Sequence, residues 1–102
     1  MNTTENNKLI AEFMGYEIIY RPNSNGFIEI SDTELCDVDD LEYHKSWDWI
    51  IPVVREVLTI VNINLVNYCV DELKFCVLDN DIDGAFEEVV EFINYLNKTN
   101  NN

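Results

Sequence analysis

Residues Ile63–Leu78 read INLVNYCVDELKFCVL, and two periodicities compete for them. Leu73, Phe75 and Val77 alternate with their neighbours as one face of a strand does. Val66, Cys69, Val70, Leu73, Cys76 and Val77 recur at helical spacing, and that stripe accounts for more positions over a longer window. The helical choice predicts an α+β fold: an N-terminal helix, a β-hairpin, then three helices in a single domain. The strand choice gives an α/β sandwich instead, with residues 61–78 as strands against the hairpin.

The flanks of this stretch support the first choice. Downstream, Ile82, Phe86, Val89, Val90, Ile93 and Leu96 lie on one helix face, with Glu87, Glu88 and Glu91 off it. Upstream, Trp47, Ile50, Val54, Val57 and Val61 keep the same period, with Ile51, Val53 and Leu58 beside them. Ser46 is placed to cap that helix, and Asp48 suits its positive end. Pro52 lies past the first turn, where it deletes a bond to the Asp48 carbonyl. The sequence therefore predicts either a kink there or a separate turn over Trp47–Ile51.

Nearer the N-terminus, Thr3 or Thr4 is placed to cap a helix bearing Leu9, Ile10, Phe13 and Met14, stopped by Gly15. Tyr16–Tyr20 and Phe27–Ile30 favour strand, and the loop Arg21–Gly26 between them carries Pro22, Asn23, Asn25 and Gly26, a hairpin signal. Residues 31–45 show no clear period and are expected to be loop. Reversing Asp37, Asp39 and Asp40 to lysine is accordingly expected to leave folding intact. The domain is expected to span residues 1–98, with a frayed tail at 99–102.

Charge narrows function. The chain holds 102 residues, 20 of them acidic and 6 basic, for a net charge of −14. Direct nucleic-acid binding needs lysines and arginines to displace counterions, and six scattered ones form no basic stripe. Anionic membrane surfaces are disfavoured for the same reason. No segment reaches the ~20 apolar residues of a bilayer span. The opening MNTTENNKLIAEF has neither a basic leader nor a long apolar run. Cys36, Cys69 and Cys76 are odd in number and lack CxxC spacing, so reduced thiols in a cytoplasmic protein are expected.

Three features compete as sites. His44, the only histidine, has no second catalytic member at hand, since Ser46 stands two residues away with no orienting group. Asp79-Asn80-Asp81-Ile82-Asp83-Gly84 matches the opening of a calcium loop, but its twelfth position is Val90 and Glu91 comes one residue late. Asp81 as the cap of the last helix is the simpler expectation, and no metal or other cofactor is expected. Two acid runs without a single base remain, residues 29–42 and 79–91. Glu29, Asp32, Glu34, Asp37, Asp39, Asp40 and Glu42 are expected to form a partner-binding surface, with Trp49, Asp79, Asp81 and Asp83 as a secondary one.

The blocks NKLIAEFMG (Asn7–Gly15), YHKSWDWIIPVV (Tyr43–Val54) and FEEVVEFINYLN (Phe86–Asn97) resemble a group of small uncharacterised proteins of phages and prophages of Bacteroidota-type bacteria. The group's shared patterns are IAEFMG, YHxSWDWxxPVV and VVEFIxxxN. Here Asn94-Tyr95-Leu96 stands where the group more often carries a basic residue and a tryptophan. The resemblance implies an accessory or counter-defence role in a host cell. With the charge, it points to a non-enzymatic protein acting on a partner with a basic nucleic-acid-binding cleft, a CRISPR effector nuclease or its guide-RNA site being the first to consider. A small calcium-binding domain, or a phage structural or assembly protein whose charge serves solubility, are the alternatives.

Overall fold

The computed structural model describes residues 3–23, 25–63 and 68–100. Helix α1 covers Thr3–Phe13, strand β1 Phe27–Ser31 and strand β2 Glu34–Asp37. A 3-10 turn, Val38–Asp40, follows, then helices α2 (Trp47–Ile63), α3 (Asp71–Leu78) and α4 (Ile82–Asn100). The order is helix, hairpin, three helices, as the helical stripe predicts. Residues 71–78 are helical and supply no strand, but Cys69 and Val70 of that stripe lie in irregular backbone before the helix, and Val66 lies outside the described residues.

The helix at the end of the chain organises the core. Helix α4 packs against α1, α2 and α3. Its buried side chains are Ala85, Phe86, Val89, Val90, Phe92 and Ile93, a wider face than the predicted stripe. Phe92 is fully buried and meets the rings of Phe13 and Tyr68 edge-on. The larger side chains of this kind each contribute about 1.5–3 kcal/mol when removed from water, so this face is a large part of the core's stability. From α2, Ile50, Val53, Val54 and Val57 join the core, with Ile10, Ala11, Ile28, Val38, Leu41, Tyr43 and Leu73 from the other elements, while Trp47, Leu58 and Val61 pack half-buried around it. The helix runs unbroken through Pro52, with no separate turn before it. Pro52 is exposed, so the Asp48 carbonyl it deprives faces the side where water is present.

Both ends of the inter-helix stretches close by the same device. After α1, the Tyr16 N–H bonds the Ala11 carbonyl and the Gly15 N–H that of Glu12, with Gly15 at φ +97°. After α3, the Asp81 N–H reaches the Cys76 carbonyl and the Asn80 N–H that of Val77, with Asn80 at φ 60°. Each satisfies orphan carbonyls of the last turn through one left-handed residue, glycine or asparagine.

The hairpin is displaced from its predicted place. Strand β1 pairs antiparallel with Glu34–Asp37, not with Tyr16–Tyr20, and an irregularity lies between Glu29 and Ser31. Residues 16–20 touch β1 only where Ile19 and Phe27 exchange hydrogen bonds of 2.8 and 2.9 Å. Closing the two-residue turn Asp32–Thr33 costs less chain entropy than closing Arg21–Gly26. It also sets Ile28 opposite Cys36 on the inner face, and Glu29 opposite Leu35 on the outer. Gly26 lets residues 18–19 approach, since a Cβ there would lie 2.8 Å from Ile18 Cγ2.

Candidate partner-binding surfaces

The first acid run is not a loop. Glu29 lies in β1, Asp32 in the tight turn, Glu34 and Asp37 in β2, Asp39 and Asp40 in the 3-10 turn, and Glu42 just beyond. All are exposed except Glu42, which is half-buried and paired with Lys45 at 3.5 Å. Two of them hold the local structure. Asp37 Oδ1 accepts the Asp39 N–H at 3.0 Å, capping the 3-10 turn. Asp39 accepts from Asn25 Nδ2 at 3.1 Å through both oxygens, and from Thr4 at 3.5 Å. It thereby ties the loop before β1 and the start of α1 to the 3-10 turn. The expectation that Asp37 and Asp39 are dispensable for folding is therefore corrected. Around them, the Cys36 thiol is pushed above its ordinary value by burial first, then by Asp40, Asp37 and Glu42.

The second acid run divides between capping and display. Asp81 stands before α4; its carbonyl accepts from Ala85, and its Oδ1 accepts the Gly84 N–H at 3.1 Å. That is the predicted cap. Asp79 ends α3 and Asp83 lies in the first turn of α4. Among the described residues no three His, Cys, Asp or Glu side chains gather as cation ligands would. Gly84 has a different reason to be glycine than a calcium loop supplies. A Cβ there would lie 2.5 Å from Asp81 Oδ2 and 2.7 Å from Cys76 Sγ. Its absence lets α3 and α4 close on each other.

That closure assembles a surface the sequence does not show. The Glu88 carboxyl is raised above its usual range by burial, then by Glu91, Glu72 and Glu87. The Cys76 thiol is raised by burial, then by Asp81, Glu88, Glu72 and Asp79. Glu72, from α3, joins both clusters. Its position within the ambiguous stretch carries no signal of this. It stands four residues from Cys76 on α3, and the packing of α3 on α4 brings it to Glu88.

His44 serves as a partner for a buried amide. The Asn7 Nδ2 group donates to the Leu41 carbonyl at 3.2 Å and lies 3.0 Å from His44 Nδ1. A carbonyl only accepts, so the amide nitrogen must face it, and Nδ1 takes the other hydrogen. The ring meets Phe86 edge-on. This pins α1 to the segment before α2. Trp49, half-buried, stands edge-on to Tyr43 with centroids 5.3 Å apart and lines an open groove with Ile28 and Ile30 of the hairpin. Trp47 packs half-buried on the core. No helix among the described residues is long and apolar enough to cross a membrane. No protein-family model, curated protein or solved structure matches the chain.

Proposed function

We propose that this chain is a non-enzymatic interaction protein that inhibits or modulates a host nucleic-acid enzyme or defence system, in the manner of an anti-CRISPR protein. Its partner offers a basic nucleic-acid-binding cleft, with an RNA-guided nuclease or its guide-RNA site the first to test. The observation that carries this reading is the hairpin and its 3-10 turn. They hold Glu29, Asp32, Glu34, Asp37, Asp39, Asp40 and Glu42 on a hydrogen-bonded scaffold where, among the described residues, the ion pair formed is that of Lys45 with Glu42. Carboxylates held in this way present charge where a nucleic acid presents phosphate, which speeds association with a basic cleft.

The test begins with capture of the partner from a host lysate and its identification by mass. Glu29, Asp32 and Glu34 are then reversed to lysine together, because they are exposed and, unlike Asp37 and Asp39, their side chains take no part in the hydrogen bonds that hold the 3-10 turn. Association should slow by about tenfold or more at low salt, with the difference shrinking as salt screens the attraction. Equal association rates for the two proteins at low and high salt would remove the reading.

A further inference from the structure

Between the end of α1, strand β1 and the start of α2 lies an open groove of about 310 Å³. That is the low end of the roughly 300–1,000 Å³ of ligand sites, enough for one side chain but small for a cofactor. Its floor is apolar: Ile28 and Tyr43 are buried there. Tyr16, Ile30 and Trp49 form its sides, and Tyr16 and Ile30 remain 36% and 43% exposed. The chemistry of its rim is one-sided. Asp48 lines the groove and forms no ion pair among the described residues. Pro52, beside it, has no N–H, so the Asp48 carbonyl lacks its helical donor. Asp48 thus brings a carboxylate without an ion pair among the described residues to a groove lined by three aromatic rings.

We infer that this groove takes an arginine side chain of the partner protein, stacked on the aromatic wall with its guanidinium on Asp48. Arginine matches both the rings and the carboxylate: its planar head stacks on aromatic faces, and its forked donors serve both oxygens of a carboxylate at once. Its alkyl stem covers the apolar side walls. A second copy of this chain is a poor occupant, since each brings a net charge of −14. The assignment rests on the proposed binding of a basic partner and names one of its anchors, apart from the hairpin carboxylates.

The experiment uses the full chain labelled with nitrogen-15 and three blocked tripeptides, Gly-X-Gly, with X arginine, lysine or norleucine. The indole N–H of Trp49 is the reporter and that of Trp47 the internal control. The arginine peptide should shift Trp49 saturably and leave Trp47 in place. The lysine peptide should bind more weakly, and norleucine more weakly still. Asp48→Asn, an exposed and conservative change, should reduce arginine-peptide affinity about fivefold with the Trp49 signal still dispersed. An absent Trp49 response, equal shifts at both indoles, norleucine binding as tightly as arginine, or unchanged affinity in Asp48→Asn would each overturn the assignment. If it falls while the hairpin reversal still slows association with the captured partner, the proposed function stands without this anchor.

Discussion

On the hairpin, Asp37 and Asp39 hold the 3-10 turn and the flanking loop in place with their carboxylates, and Glu42 is answered by Lys45. On the α3–α4 side, Asp81 caps, while the Glu88 carboxyl rises above its ordinary 4.5 through burial first, then through Glu91, Glu72 and Glu87. Two acid-rich stretches of similar composition therefore differ in kind. In the first, charge is partly structural and lies on a short hairpin. In the second it is a cost that helix packing tolerates. Acid density along a sequence measures neither, because hydrogen-bond donors and neighbouring helices decide what each carboxylate does.

Four measurements would sharpen or break that contrast. The largest effect belongs to the helix junction. Gly84→Ala should destabilise by about 2 kcal/mol by denaturant unfolding, since the new methyl displaces the Asp81 cap and the Cys76 thiol. Stabilisation instead, as an open helix position would give, means that α3 and α4 do not close on Gly84. On the hairpin, Asp39→Ala should cost about 1 kcal/mol through the lost bonds from Asn25 and Thr4. No cost would make that carboxylate a purely displayed charge like its neighbours.

The third effect has the opposite sign. The Glu88 carboxyl is raised in the folded state, so the stability tied to its protonated form is fully present below about 4.5 and is lost as pH rises through the folded value. Glu88→Gln should therefore raise the melting temperature at pH 7 by about 2 °C, with the advantage gone near pH 4. A lower melting temperature at pH 7 would mean that Glu88 has a favourable partner instead. Glu34→Gln, on the displayed part of the hairpin, should stay within about 0.5 kcal/mol of the parent protein. A larger change would place Glu34 with Asp37 and Asp39 as structural.

Features whose cause lies within a few residues were legible in the sequence. The stripes of α2 and α4 are written in the spacing of Ile50, Val54 and Val57, and of Phe86, Val89 and Ile93, because 3.6 residues complete a turn. The Gly15 stop and the Asp81 cap follow from backbone groups that any helix end leaves unpaired. Net charge needed only counting, and it argues against direct nucleic-acid binding whatever the fold.

Tertiary structure decided what depends on groups meeting from afar. Phe27 bridges to Ile19 on one side, but β1 as a whole pairs with Glu34–Asp37 through the shorter closure at Asp32–Thr33, which turns an acid run without period into strand and 3-10 turn. Asn7 reaches His44 across 37 positions, and Asp39 gathers Asn25 and Thr4. Glu72 joins the acids of α4 because Gly84 lets two helices close, and the Trp49 groove exists only between three elements. Local propensity encodes dihedrals and caps within one turn of chain. Which carboxylate is tied down, which is crowded and which is displayed depends on the side chains that arrive from elsewhere once the core has packed.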